Sequence, residues 1–138
     1  MARYDKFDPI ANGFRAHVAA DYLDADLGKI FGVGLDTTGK VVKGGGNSGV
    51  VGVLVVTCKP GVVGAQKQIS SVDVMQQGCV TDFGPSSAGL VPGTDFGVAG
   101  TKYYADPATG IVSTTAAGGV YVGTTVEPDR LQVNVNTT

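Results

Sequence analysis

Glycine and valine each supply 22 of the 138 residues, and this pairing constrains the chain more than anything else in it. Glycine costs about 1 kcal/mol relative to alanine inside a helix. Valine, together with thirteen threonines, has the β-branched shape that suits a pleated surface. The chain therefore reads as all-β. Its length fits one compact domain with at most a small appendage.

The surface follows from charge. Lys and Arg total 10, Asp and Glu total 12, and only 16% of residues are charged, against roughly 25% in ordinary globular domains. A folded monomer of this mass exposes roughly 6,700 Å², so either Thr, Ser, Asn and Gly cover that surface or assembly hides part of it. Scattered basic residues exclude a nucleic-acid binder that works through a basic patch. No apolar run reaches the length of a membrane-spanning helix. The opening MARYDKFDPIANGF lacks the apolar centre of a secretory signal, so synthesis in the cytoplasm is expected.

Turn signals then divide the chain. Residues 1–13 carry Asp8-Pro9 and Asn12-Gly13 without periodicity and read as an extended arm. FRAHVAA (14–20) reads as a short strand, with a weakly capped helix over Asp21–Lys29 as the alternative for the next segment. Ile30–Leu35 and Lys40–Lys43 flank Asp36-Thr37-Thr38-Gly39, a hairpin whose turn ends on a glycine in the left-handed region. KGGGNSG (43–49) reads as a connector or lid. VVGVLVVT (50–57) has the length of a strand covered on both faces, and Lys59-Pro60-Gly61 turns the chain.

In SVDVMQQ, Val72 and Val74 share one face while Ser71, Asp73 and Met75 share the other, and Gly78 is expected to separate this strand from CVTDF. The two prolines of 84–93 mark a loop. Thr101–Ala105 and Ile111–Thr115 flank a second turn, Asp106-Pro107-Ala108-Thr109-Gly110, which echoes the first. Residues 120–126 and 131–135 form a third hairpin around Glu127-Pro128-Asp129-Arg130. Seven to ten short strands at such spacing predict a small β-barrel or compact β-sandwich.

Catalytic patterns are absent from the sequence. His17 is the single histidine, and Cys58 and Cys79 stand alone without a second pair for zinc. Asp21, Asp24 and Asp26 lack the glycine and terminal glutamate of a calcium loop, and KGGGNSG lacks the Gly-Lys-Ser/Thr ending of a phosphate loop. No enzyme, cofactor or metal is expected. Arg3, Tyr4, Phe7, Phe14 and Arg15, by contrast, are residue types enriched at binding hot spots, and they are the expected contacts to a partner or to another subunit.

Three stretches carry a family resemblance: Gly46–Val80, Ala99–Thr115 and Val120–Val135. A glycine-flanked VGVL strand, a Pro/Gly turn, a VDVM strand, a GTKYYADPATG hairpin and a VEPDRLQV ending follow one another. This order resembles the head decoration proteins of tailed bacteriophages, of the small β-barrel type found in phages of actinobacterial hosts. The resemblance spans residues 28–135, with Tyr103-Tyr104 and Asp106–Gly110 matching its recurrent hairpin.

It implies a non-enzymatic protein without cofactor on the outer surface of the virion capsid. It further implies contact with the major capsid protein, self-association as a homotrimer at local three-fold positions, and no direct contact with nucleic acid or membrane. Residues 1–20 would be the N-terminal arm and 21–138 a single β-barrel-like domain. The alternatives are another virion structural subunit (tail tube, connector or minor capsid), or a receptor- or carbohydrate-binding β module. The last calls for an aromatic platform, which a chain with no Trp and only ten Phe and Tyr residues is poorly supplied to build.

Overall fold

The computed structural model describes residues 3–6, 13–23, 29–56, 71–82, 99–127 and 130–135, with 3–6 and 78–82 described in their backbone course alone. Among the described residues the fold is all-β and carries eleven strands. These are β1 (Arg3–Lys6), β2 (Gly13–His17), β3 (Ile30–Leu35), β4 (Val41–Lys43), β5 (Gly52–Val55) and β6 (Ser71–Met75). They continue with β7 (Gln77–Asp82), β8 (Lys102–Ala105), β9 (Val112–Ser113), β10 (Val120–Glu127) and β11 (Arg130–Asn134). The strand count exceeds the expected upper figure because the arm contributes β1.

The strands form two sheets, one ordered β1-β7-β11-β10-β8-β9 and the other β2-β6-β5-β3-β4. Neighbours within each sheet run antiparallel. The sheets meet at two corners. At the first, β6 passes into β7 through Gln76, whose carbonyl accepts the Val135 N–H at 2.8 Å while its Nε2 donates to Val51 O at 3.2 Å. One residue thus pins both sheets. The break falls at Gln76 and not at Gly78, which lies inside β7; the hydrogen bonds of the corner outweigh glycine's weakening effect on a strand.

At the second corner Phe31 bridges Ile111 antiparallel and the Gly32 N–H donates to Gly110 O at 2.7 Å. The two sheets therefore close around a shared interior. Alternation along the strands fills it with Ile30, Val53, Met75, Tyr103, Leu131 and Val133, all wholly buried. A second cluster lies on the other face of the five-stranded sheet and includes Phe31, Val33, Leu54, Val56, Val72 and Val74. β5 contributes Val53 and Val55 to the first cluster and Leu54 to the second, which is why VVGVLVVT is apolar throughout. Each such side chain adds about 1.5–3 kcal/mol by burial.

KGGGNSG is a tightly turning connector between β4 and β5 and not a lid. It packs against the second hairpin turn, with the Gly45 N–H donating to Pro107 O and the Gly44 N–H to Gly32 O, both at 2.8 Å. The glycines are required by close approach. A Cβ on Gly44 would lie 2.5 Å from Pro107 O, and one on Gly110 would lie 2.5 Å from Gly32 O and 2.7 Å from Gly44 N. Backbone meets backbone here, leaving no room for side chains. Lys59-Pro60-Gly61 and the 84–93 loop lie outside the described residues, as do most of the alternative helix and Cys58.

Candidate docking surface

The two ends of the N-terminal segment enter different sheets. β1 is the terminal strand of the six-stranded sheet, with Arg3 opposite Asp82 and Tyr4 opposite Thr81. A bulge follows, bringing Lys6 opposite Val80. β2 is the terminal strand of the five-stranded sheet and pairs along its length with β6, from Gly13 opposite Met75 to His17 opposite Ser71. Arg3 and Tyr4 are thus held on one sheet, Phe14 and Arg15 on the other, and Phe7 lies outside the described residues.

Within β2 the pleat separates the two named side chains. Phe14 packs half-buried against the second apolar cluster beside Ala16. Arg15, on the opposite face, lies across from Asp73 and grips it with two hydrogen bonds, Nε to Oδ1 at 2.7 Å and Nη2 to Oδ2 at 3.3 Å. The hydrogen bond to Asp73, and then that carboxylate's charge, raise the Arg15 guanidinium above its ordinary value. The arginine is nonetheless 64% exposed, so the pair fixes its direction while leaving it accessible.

Two surface depressions were not signalled by the sequence. A cleft of about 320 Å³ runs between the second hairpin and the 113–119 turn, with Asp106, Ile111, Ser113 and Thr115 in its wall. Ile111 is 41% exposed there. An apolar groove of about 220 Å³ lies between Ala19–Tyr22 and Val41–Lys43. The Lys43 ammonium stands 4.7 Å from the Tyr22 ring centroid and 4.4 Å from that of Phe31, and the rings themselves meet edge to face. Such a cation over aromatic faces is favourable by about 0.5–2 kcal/mol. The only available signal for these features was the presence of exposed-type residues next to turns, which does not specify a concavity.

Among the described residues no group of three or more His, Cys, Asp or Glu side chains is placed to hold a metal ion. The His17 Nδ1 lies 3.4 Å from Ser71 Oγ on an exposed strand. Asp21 is exposed, while Asp24 and Asp26 lie outside the described residues.

Comparison with solved structures finds a likeness in fold. A solved chain from Mycobacterium phage Patience matches with a TM-score of 0.73 at 19% identity, over 99% of this chain and 97% of that one. At that identity the likeness shows a shared fold, covering both chains almost end to end. No protein-family model matches the sequence, and no curated protein does.

Proposed function

We propose that this chain is a structural protein of a tailed-phage virion and, more narrowly, a head decoration protein bound to the outside of the assembled capsid. The observation that carries the reading is the end-to-end likeness to a phage chain. The ordered resemblance of residues 46–80, 99–115 and 120–135 to head decoration proteins supports it independently of any structure.

In this reading the partner is the major capsid protein, and the chain bridges neighbouring subunits as a homotrimer at local three-fold positions. A ligand that binds the assembled lattice and not the free subunits stabilises the lattice by mass action. Modest affinity suffices when the contact repeats at many equivalent positions. A packed β-domain suits the task because a body already ordered loses little further freedom on docking. Residues 1–20 form the shell-contacting part, through Arg3, Tyr4, Phe7, Phe14 and Arg15, with residues 21–138 as the β-domain behind them. β1 and β2 being the terminal strands of their sheets supports this, since an edge strand offers backbone groups to a partner. The protein is made in the host cytoplasm and ends on the outer surface of the virion.

The test is to mix the purified protein with undecorated mature capsids of its phage and resolve the bound density. Symmetric density on the exterior at local three-fold positions is the expected result. A bare shell overturns the decoration role, and density in the tail or at the portal vertex reassigns the chain to another virion component.

A further inference from the structure

The outward face of the six-stranded sheet collects hydroxyl and carboxamide side chains around a tyrosine pair, with the Arg130–Glu127 ion pair at one end. β8 and β10 pair so that Tyr104 lies opposite Tyr121 and Lys102 opposite Thr124. β9 sets Ser113 beside Tyr104, and β11 sets Gln132 beside Thr124 and Asn134 beside Gln77. The alternate residues Tyr103, Ala105, Leu131 and Val133 are wholly buried in the interior, so strand alternation turns this set outward. Tyr104 and Tyr121 meet edge to face, centroids 5.9 Å apart at 68°. The Tyr121 hydroxyl is hydrogen-bonded to Thr124 Oγ1. Both rings are half-buried, whereas Lys102, Gln132 and Asn134 are exposed.

This composition selects a ligand class. Hydroxyls and carboxamides each donate and accept, which matches a ligand whose own groups are hydroxyls. The tyrosine pair supplies an apolar ledge for the C–H face of a ring. Lys102 is joined on this face by Arg130, but Arg130 is ion-paired to Glu127 at 3.3 Å, and so little net positive charge does not hold a nucleic acid or acidic polymer, which needs a cluster of basic groups. A protein interface of the stable kind would have a largely apolar centre, and here the rings are bordered by amides and hydroxyls. The four strands from β8 to β7 span about 14 Å at the usual spacing, enough for a few sugar rings.

We propose that this face binds a neutral oligosaccharide, with Tyr104 and Tyr121 as the stacking ledge and Gln132, Asn134 and Thr124 as hydrogen-bonding groups. The proposal stands apart from the capsid reading, because it concerns the isolated protein.

The experiment titrates the isotope-labelled full chain with neutral hexasaccharides of glucose, mannose and galactose, and with a heparin hexasaccharide for comparison, following backbone amide resonances. Saturable shifts clustered at residues 102–104, 121–124 and 132–134 with at least one neutral sugar are expected. Gln132→Ala and Tyr121→Ala should each weaken that binding about tenfold, the equivalent of one good contact. Tyr121 packs on Tyr104, so its loss can disturb the sheet; exposed Gln132 serves as the variant whose melting temperature stays at the parent value. Absence of shifts with all three neutral sugars overturns the proposal. So do shifts centred elsewhere, tighter binding of heparin, or indifference to Gln132→Ala.

Discussion

The two Asp-to-Gly turns of this protein share their local chemistry and differ in their surroundings. In the first, Asp36 Oδ1 accepts hydrogen bonds from Thr38 N, Thr38 Oγ1 and Lys40 N, and Gly39 closes the turn at φ 84°. In the second, Asp106 Oδ1 accepts from Ala108 N, the Gly110 N–H donates to Asp106 O, and Gly110 sits at φ 79°. The first turn projects into solvent, and a Cβ on Gly39 would meet nothing within 4 Å. The second has one more residue and is docked into Gly32 and Gly44 at the corner where the sheets close. The same turn code has thus been used once as a hairpin end and once as a clasp. A glycine chosen for its φ alone differs from one chosen for its φ and its missing Cβ together.

The largest effect should come from breaking the clasp. Gly110→Ala imposes the left-handed cost on an L-residue and drives a methyl into two backbone atoms, so unfolding free energy should fall by about 3 kcal/mol or more. Urea denaturation measures it, and a loss below about 1 kcal/mol would mean the corner yields freely. Gly44→Ala strikes the same contact from the other side. Its cost should be comparable, and the double variant should cost less than the two single losses together, because a corner already forced apart has less to lose. Strict additivity would show that the two glycines act separately.

The contrast also marks how far the sequence could be read. Both turns, the strands flanking them and the faces of SVDVM follow from rules that act over a few residues, and β3, β4, β6, β8 and β9 lie where these rules put them. Ten aromatics without tryptophan gave no hint that Tyr104 and Tyr121, seventeen positions apart, share one outward row. That depends on the register between strands. Likewise KGGGNSG looks the same whether it links or packs, since glycine serves freedom and close approach equally well. The Gln76 corner was hidden because an ordinary polar residue became decisive only through partners on both sheets. Of the contact residues, Phe14 and Arg15 differ by one position, and only the strand's pleat sends them to opposite faces.

The exposed turn should respond more mildly. Gly39→Ala carries the conformational cost without a clash, about 1 kcal/mol, and Gly39→Asn should recover part of it because asparagine tolerates this region. If Gly39→Ala matched Gly110→Ala in the same urea series, backbone conformation alone would account for both, and docking would contribute nothing.

The smallest effect is electrostatic and concerns the first turn. Hydrogen bonds from Lys40 N and then from the Thr38 hydroxyl hold the Asp36 carboxyl below its ordinary value. A group whose pKa is depressed by folding stabilises the native state above its unfolded pKa, about 3.9 for Asp. That stabilisation is lost as the pH falls through the lower, folded value. Asp36→Asn keeps the side-chain carbonyl and removes the charge, so it isolates this contribution. The parent should melt above the variant by a small, constant margin at pH 5 and higher, small because an exposed carboxylate is well screened. The margin should shrink as the pH drops below about 4. Thermal melts of both proteins across that range check the sign: a margin that widened on acidification would mean the charge of Asp36 opposes the turn, leaving its hydrogen-bond geometry to hold the hairpin.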